Sequence, residues 1–346
     1  MVALCRYFRA VEIPFRLVAR HGTDAILNTQ WRDHVLFQRK DASLNVQLMK
    51  QVALSLRALG LSPVLCPTSE FLNCFVLGNH VAVTACGWNS ALPEPALYQI
   101  LSSKGSSGSI IHDLTGLSYP TVQPPGCWVP PCVLKPKYNI INNQMLYPII
   151  CKSPNELAMA METIEIRDWF SQEWVEGQSL YLCAYLAKDG YFDCYWQENL
   201  LQQPGGKSIV LARSTANPGI DVSALMSGLH RKGYFGPFMI EIMRDSSGRL
   251  SFIEVNPRFW GPLNLSLKVC PGLLNRFAID QGLKPLHLLA DQKNTDGWYA
   301  WAFGALNSPC RRYPAVDAYT DKDIRILLRK HDVYAAHDTQ PLAGIY

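Results

Sequence analysis

A short polar turn between two apolar runs, within residues 238–256, constrains the fold of this chain more than any other segment. If Ser247-Gly248 forms a two-residue hairpin loop, counting back along the ladder places Glu241 directly opposite Glu254. Because side chains along a strand alternate between its two faces, Asn256 then lies on the same face as Glu254. The segment therefore predicts an antiparallel hairpin on which three oxygen-bearing side chains converge.

Two opposed carboxylates require a cation between them. Unit charges 4 Å apart repel by roughly 4 kcal/mol at an effective dielectric near 20, and apolar neighbours argue against both groups simply facing water. Oxygen ligands favour Mg²⁺ or Mn²⁺ over zinc, and Mg²⁺ commonly takes one or two carboxylates together with substrate phosphates. Glu241, Glu254 and Asn256 are thus predicted metal ligands, and the alternative is an ordinary hairpin with two exposed glutamates.

Residues 1–100 alternate between helix-like and strand-like patterns. An amphipathic helix around residues 49–59 ends at Gly60, and an apolar strand is expected over residues 61–66. This alternation is typical of a parallel sheet covered by helices. A helix already begins near Met1, so the glycine-rich phosphate loop of a dinucleotide-binding sheet is missing.

After residue 100 the pattern changes to short strands and turns. Ser153-Pro154-Asn155-Glu156 forms a capping box with proline at the first helical position, so a helix is expected to start there. Beyond Trp169 the chain is mostly strand-like, with one helix predicted from Asp221 to Lys232. The whole pattern predicts an α/β (α+β) protein, with an N-terminal parallel-sheet domain followed by two α+β subdomains.

Composition excludes several functional classes. The 346 residues suffice for two or three packed subdomains, and 48% hydrophobic against 17% charged residues indicates a globular core. A net charge of +4 with scattered basic residues does not indicate a nucleic-acid partner. No signal segment or long apolar run is present, so a cytoplasmic protein without a membrane partner is expected.

The run from Glu254 to Gly261, Glu-Val-Asn-Pro-Arg-Phe-Trp-Gly, closely resembles the metal-binding end of ATP-grasp ligases. The resemblance covers residues 100–275 well and the preceding domain in outline. It implies an ATP-grasp fold in which residues 1–100 form an N-terminal pre-ATP-grasp domain. Residues 101–175 would form the lid subdomain, and residues 176–346 the C-terminal subdomain with the metal site, the two clasping ATP.

The resemblance also implies a binding role for each landmark of the ATP site. Lys104 and Lys135 resemble the family's two phosphate-binding lysines, which fits the need of phosphates for ammonium groups. The linker around Trp174 would receive adenine through the Glu173 carbonyl and the Val175 N–H. Gln178 stands where family members often place an acidic residue that holds ribose.

Three further cations are candidates for catalytic roles by the same resemblance. Arg258, next to the predicted metal ligands, is placed to neutralise charge on a transferring phosphoryl or acyl-phosphate oxygen. The loop containing Lys207 resembles the substrate-side loop of carbamoyl-phosphate-synthase-like members. Lys207 or Arg213 is therefore a candidate for holding the carboxylate or the acyl phosphate. The loop at residues 138–144, by contrast, lacks the glycines that usually fold over the phosphates.

The implied activity is that of a biosynthetic ligase. With ATP and Mg²⁺ or Mn²⁺ bound, a carboxylate attacks the γ-phosphate, and an amine opens the resulting acyl phosphate with release of ADP and phosphate. Small-molecule carboxylates and amines, such as amino acids, are the expected substrates, and a homodimer is one expected assembly. Open alternatives are a carboxylate–thiol ligase, a carbamoyl-phosphate-type enzyme, and a catalytically weakened nucleotide-binding subunit of a larger complex.

Overall fold

Helices and short parallel strands alternate at the start of the fold. The computed structural model describes residues 1–22, 24–40, 43–137, 140–141, 144–290, 296–306 and 309–339, without the side chains of 140, 141, 144 and 145. The first elements are α1 (Val2–Ala10), β1 (Leu17–Arg20), β2 (Val35–Arg39), α2 (Val46–Ala58), β3 (Val64–Leu65), α3 (Glu70–Gly78), α4 (His80–Ala85), β4 (Asn89–Ser90) and α5 (Pro95–Ser102). β1 pairs with β2 and β3 with β4, both in parallel, which confirms the predicted alternation.

The strand expected over residues 61–66 is shorter than predicted. Only Val64–Leu65 pair with a neighbouring strand. Prolines at positions 63 and 67 flank this pair, and proline has no N–H to donate to a ladder. The helix expected near Met1 is confirmed, because α1 begins at Val2.

A four-stranded antiparallel sheet follows, with strand order β5-β10-β6-β9. The elements here are α6 (Ser107–Thr115), β5 (Val122–Gln123), β6 (Cys132–Pro136), β7 (Ile140–Ile141), β8 (Gln144–Met145), β9 (Ile149–Cys151), α7 (Pro154–Met161) and β10 (Trp169–Glu173). The predicted capping box is confirmed, since Ser153 accepts from the Glu156 N–H and Glu156 accepts from the Ser153 N–H. Tyr138, Asn139, Asn142 and Asn143 of the glycine-poor loop lie outside the described residues.

The largest sheet has the strand order β15-β14-β11-β12-β13-β16, and β17 pairs with the end of β12. The strands of this sheet and the helices between and after them are β11 (Gln178–Leu186), β12 (Phe192–Gln202), β13 (Ile209–Thr215), α8 (Val222–Arg231), β14 (Gly236–Arg244), β15 (Leu250–Asn256), α9 (Ser266–Val269), α10 (Gly272–Asp280), β16 (Trp298–Ala300), α11 (Ala302–Leu306), β17 (Arg311–Arg312) and α12 (Asp321–His331). The predicted helix after Asp221 is confirmed, because the Asp221 carboxylate accepts from the Ala224 N–H at its start. Among the described residues, no helix combines the length and the apolar content needed to cross a membrane.

The two faces of the largest sheet bury different layers. One face carries Glu241, its pairing partner Tyr181, and Met239. We call it the carboxylate face. Tyr181 and Met239 pack with α1, α10 and the 3₁₀ helix Gly261–Leu265. The opposite face carries Leu182 and Trp196, which pack with residues of α6 and α8. Strand alternation therefore decides which side chains can meet Glu241.

The hairpin between β14 and β15 has a longer loop than predicted. The Asp245 N–H donates to the Arg249 carbonyl, so the loop comprises the three residues 246–248 rather than two. The Asp245 carboxylate accepts from the backbone N–H groups of Ser247 and Arg249. An aspartate that bonds the backbone two residues on stabilises a turn of its own, and this side chain fixes the wider loop.

An ion pair ties the first helix to a segment far along the chain. The Arg6 guanidinium donates to both Asp338 oxygens, at 2.9 and 2.7 Å, and also to the Asn264 side chain and the Val333 carbonyl. Asp338 is only 1% exposed. Burial alone would raise its pKa, but the hydrogen bonds and the charge of Arg6 outweigh it and lower the pKa of this carboxyl.

Asp338→Asn is expected to lower the free energy of unfolding by about 3 kcal/mol at pH 7, because it leaves a half-satisfied arginine in a buried site. Since the folded pKa is depressed, the stabilisation is present above the unfolded pKa of about 4 and is lost as pH falls through the folded pKa. Urea unfolding at pH 7 and pH 3 should therefore show the two proteins converging in acid. Asp321→Asn, which breaks an exposed pair with Arg312, should cost less than about 1 kcal/mol; equal losses would contradict the prediction.

Candidate functional site

Two carboxylates face each other across β14 and β15. Glu241 pairs directly with Glu254, which confirms the predicted register. The extra loop residue is compensated by a β-bulge at Ile253, because Ile242 pairs with Phe252 and the next pair is Glu241 with Glu254. The Asn256 side-chain N–H donates to a Glu254 oxygen at 2.8 Å, so these two side chains share a face as predicted.

Two lysines from other elements complete a charged cluster. Lys135 on β6 is 5% exposed, and burial lowers its pKa to about 8, although Glu254 and Glu241 act in the opposite direction. Lys104, just before α6, also lowers the pKa of Lys135. Burial would raise the pKa of Glu254, but the charges of Lys104 and Lys135 outweigh burial and lower it. The structure thus brings together four of the residues predicted to hold phosphate and metal.

Arg258 lies at the edge of the same cluster. Its guanidinium donates to the Asn256 side-chain oxygen at 3.3 Å and to the Phe259 carbonyl at 3.1 Å. Its charge also contributes to the lowered pKa of Glu254. Arg258 is therefore positioned beside the carboxylates, as the resemblance implied, and its catalytic role stays a prediction.

A chain of hydrogen bonds across three strands orients Glu241. Ser179 donates to a Glu241 oxygen at 2.8 Å, Asn199 donates to the Ser179 oxygen at 2.8 Å, and Gln197 donates to the Asn199 oxygen at 2.7 Å. Ser179, Gln197 and Asn199 are fully buried. Burial and the charge of Glu254 raise the pKa of Glu241, so its ionised form depends on such donors. Sequence analysis missed this network, whose one signal is Gln197-Glu198-Asn199 within an otherwise apolar strand.

Ser179→Ala is expected to weaken Mg²⁺ or Mn²⁺ binding at the predicted metal site by roughly 10-fold, because Glu241 loses the donor that holds it. Calorimetric titration with Mn²⁺ in the presence of ADP measures this. Ser223→Ala, at an exposed position on α8, is the matched control and should leave the titration unchanged. An unaltered half-saturating concentration in Ser179→Ala would show that the network does not position Glu241.

The linker between the two larger sheets is anchored at both ends. The Glu173 N–H donates to the Thr121 carbonyl and the Trp174 N–H to the Pro131 carbonyl. Gly177 has φ +151°, and a β-carbon there would overlap the Arg244 carbonyl oxygen. Only glycine lets the linker pass so close to β14. Adenine contacts by Glu173, Trp174 and Val175 stay a prediction.

The Gln178 side chain bonds to the backbone of two neighbouring segments. Its side-chain oxygen accepts from the Ala315 N–H at 2.7 Å, and its amide nitrogen donates to the Asn199 carbonyl at 2.6 Å. It is 4% exposed. A ribose contact would break these bonds in a buried setting, where unmade hydrogen bonds are costly. Gln178 therefore joins β11 to neighbouring backbone, and its contact with nucleotide stays a prediction.

Arg213 is not part of the carboxylate cluster. Leu180 pairs with both Glu198 and Ile242, and Arg213 pairs with Glu198. Since Ile242 is one residue from Glu241, strand alternation places Arg213 on the opposite face. Its guanidinium is also engaged, because it donates twice to Glu198, at 2.9 and 2.6 Å. The structure therefore places Arg213 away from the carboxylates, and its role in holding substrate stays a prediction.

Lys207 lies on an exposed loop after the 3₁₀ helix Pro204–Gly206. Its ammonium lies 4.8 Å from the centroid of the Tyr147 ring, next to β9 of the four-stranded sheet. The loop thus contacts the segment before β9, but among the described residues Lys207 makes no contact with the carboxylates. Its role in holding substrate stays a prediction.

Sequence comparisons find no match for this chain among family models or curated proteins. Structure comparison does find similar folds. The biotin carboxylase domain of Hydrogenobacter thermophilus 2-oxoglutarate carboxylase, a dimer with MgADP and bicarbonate, matches with TM-score 0.61 and 13% identity, over 85% of this chain and 70% of that one. A biotin carboxylase–ATP complex from Campylobacter jejuni matches with TM-score 0.60 and 11% identity, over 86% and 71%. The ADP complex of PurK, N5-carboxyaminoimidazole ribonucleotide synthetase, matches with TM-score 0.62 and 10% identity, over 85% and 76%.

Proposed function

Since this chain has the ATP-grasp fold, as its sequence predicted, we propose that it is an ATP-dependent ligase. It binds ATP with Mg²⁺ or Mn²⁺ and joins a small-molecule carboxylate to an amine, with ADP and phosphate as products. The observation that carries this proposal is the pairing of Glu241 with Glu254 beside the buried Lys135. The similar structures support it, since they are complexes with MgADP, β,γ-ATP and ADP.

The donor set fits a hard divalent cation bound together with phosphate. Glu241, Glu254 and Asn256 offer oxygen ligands only, which suits Mg²⁺ or Mn²⁺. Two carboxylates leave part of the coordination sphere for phosphate oxygens, as is common for Mg²⁺. When bound, the metal ion would neutralise phosphate charge and orient the γ-phosphoryl group.

Lysine and arginine side chains would neutralise the phosphate charge that the metal ion leaves. Lys104 and Lys135 reach the cluster from two different elements and would hold the phosphates on either side of the transferring group. Arg258, bonded to Asn256, would stabilise negative charge as the substrate carboxylate attacks the γ-phosphorus and the ADP oxygen leaves. The amine would then displace phosphate from the acyl phosphate. Most of the rate enhancement in this scheme comes from positioning and charge neutralisation.

The proposal keeps the division of the chain made from its sequence. Residues 1–100 would form the pre-ATP-grasp domain, residues 101–175 the lid and residues 176–346 the subdomain with the metal site. Adenine would bind the linker through the Glu173 carbonyl and the Val175 N–H. A homodimer is part of the proposal, in line with the dimer named for the Hydrogenobacter thermophilus domain.

A screen for ADP release over pairs of amino acids and other small carboxylates and amines tests the proposal. We expect ADP and phosphate only when the right carboxylate and the right amine are both present. Formation of AMP, or no turnover over a broad panel, would contradict it. The same screen with thiols in place of amines, or with bicarbonate and ammonia, separates the thiol-ligase and carbamoyl-phosphate alternatives. Tight ADP binding without any turnover would favour a weakened nucleotide-binding subunit.

A further inference from the structure

Strand β17, in the C-terminal region, places the Arg311 side chain against the linker. Arg311 pairs with Gln202 at the end of β12. Its guanidinium carbon lies 4.5 Å from the centroid of the Trp174 ring and 4.5 Å from that of the Tyr313 ring. Contacts of this kind stabilise a cation over an aromatic face. The Arg311 side chain is therefore held between Trp174 of the linker and Tyr313, the residue that follows β17.

The neighbours of Arg311 place it on the side of the sheet that carries Glu241. Tyr313 donates to the Gln202 side-chain oxygen at 2.5 Å. Gln202 also pairs with Ile209, which packs with the apolar residues of the carboxylate face. Residues paired on neighbouring strands share a face of the sheet, so Arg311 lies on the carboxylate face together with Gln202. Arg311 thus lies on the side of the sheet that holds the predicted metal ligands.

The N–H groups of Arg311 are available to a ligand. Within the described residues, its guanidinium has no recorded hydrogen bond or ion pair, and the side chain is half-buried. Aromatic rings cover the flat faces of a guanidinium, whereas its five N–H groups point outward in the plane. Arg213, by contrast, is engaged by Glu198 on the opposite face. A planar fork of free donors is suited to two oxygens of a phosphate.

The position of Arg311 between the linker and the carboxylates indicates which phosphate of the nucleotide it can contact. In the proposed function, adenine lies against the backbone of Glu173 and Val175, and the outer phosphates lie at Lys135 and Glu254. The ribose and the α-phosphate must then cross the interval between these two places. Arg311 contacts Trp174 of the linker and lies on the same face of the sheet as Glu241, so it borders that interval.

We propose that Arg311 binds the α-phosphate of the nucleotide, an inference that rests on the proposed function. Its guanidinium is held in place by Trp174 and Tyr313 before the ligand arrives, so little rotamer entropy is lost on binding. This assigns to the C-terminal region a direct part in nucleotide recognition. The linker and β17 would close on the nucleotide from two sides.

Affinities of the full chain for adenosine, AMP and MgADP test this inference. Arg311→Met keeps an apolar side chain against the two rings and removes the charge and the donors. We expect it to weaken AMP and ADP by roughly 10-fold or more and to change adenosine by less than about 2-fold. Arg311→Lys should recover part of the loss. Calorimetric titration of each protein with each ligand gives the three ratios.

Arg312→Ala is the matched control, because the adjacent side chain is exposed and pairs with Asp321. It should leave all three affinities unchanged. Equal weakening of adenosine and ADP in Arg311→Met would show a structural effect on the linker and overturn the assignment. So would unchanged ADP affinity with a raised KM for the carboxylate. If the unmodified protein binds neither ADP nor AMP, it is the proposed function that fails.

Discussion

Glu254→Gln is expected to abolish ATP turnover with little loss of fold. The substitution keeps the shape of the side chain and its hydrogen bond with Asn256, but it removes one of the two carboxylates that would hold the metal ion. Lys104 and Lys135 then lose the charge that their ammonium groups face. We expect the ADP-release rate at saturating ATP to fall by about 100-fold or more.

The matched control for this change is Glu162→Gln, at an exposed position after α7. It makes the same chemical change outside the cluster and should leave the rate unaltered. Circular dichroism and the thermal midpoint report whether either variant has lost structure. Unchanged turnover in a folded Glu254→Gln protein would contradict the assignment of this residue as a metal ligand.

Gly177→Ala is expected to lower both stability and nucleotide affinity. Its φ of +151° is strained for any residue with a β-carbon, and that carbon would overlap the Arg244 carbonyl oxygen at the end of β14. The linker must therefore shift, and it carries the backbone groups proposed to receive adenine. We expect the free energy of unfolding to fall by roughly 3 kcal/mol. Urea unfolding and titration with MgADP measure the two effects.

Gly248→Ala is a control that introduces backbone strain without overlap of the new β-carbon with other atoms. Gly248 also has a left-handed φ, +86°, but no described atom lies within 4 Å of the β-carbon it would gain. It should cost about 1 kcal/mol and leave the affinity for ADP unchanged. If both variants lost equal stability and neither lost affinity, close packing of the linker on β14 would have no part in nucleotide binding.

The hairpin shows how far local sequence rules reach. Counting back from a two-residue loop predicted that Glu241 faces Glu254, and strand alternation predicted that Asn256 shares its face. Both are confirmed. The loop length was wrong, because the Asp245 side chain stabilises a wider turn. The bulge at Ile253 then restores the register, and no simple pattern in the sequence signals it.

Some site residues could likewise be predicted from the sequence, and others could not. Lys135 and Glu254 belong to recognisable motifs, so their convergence could be expected from order along the chain. Gln178 and Arg213 could not be placed, because their side-chain partners depend on which strand pairs with which. Arg311 could not be found at all, since its approach to Trp174 joins segments more than a hundred residues apart. Only the three-dimensional pairing of β17 with β12 reveals it.

The bond between Arg6 and Asp338 has a consequence for how the chain folds. The two residues are 332 positions apart, so this contact is among the most non-local that a chain of this length can make. Contacts between distant positions close large loops, and proteins rich in them fold slowly. During synthesis, α1 would leave the ribosome long before Asp338 exists. Until then, Arg6 must remain hydrated or find a temporary partner, and the apolar side of α1 awaits a late step.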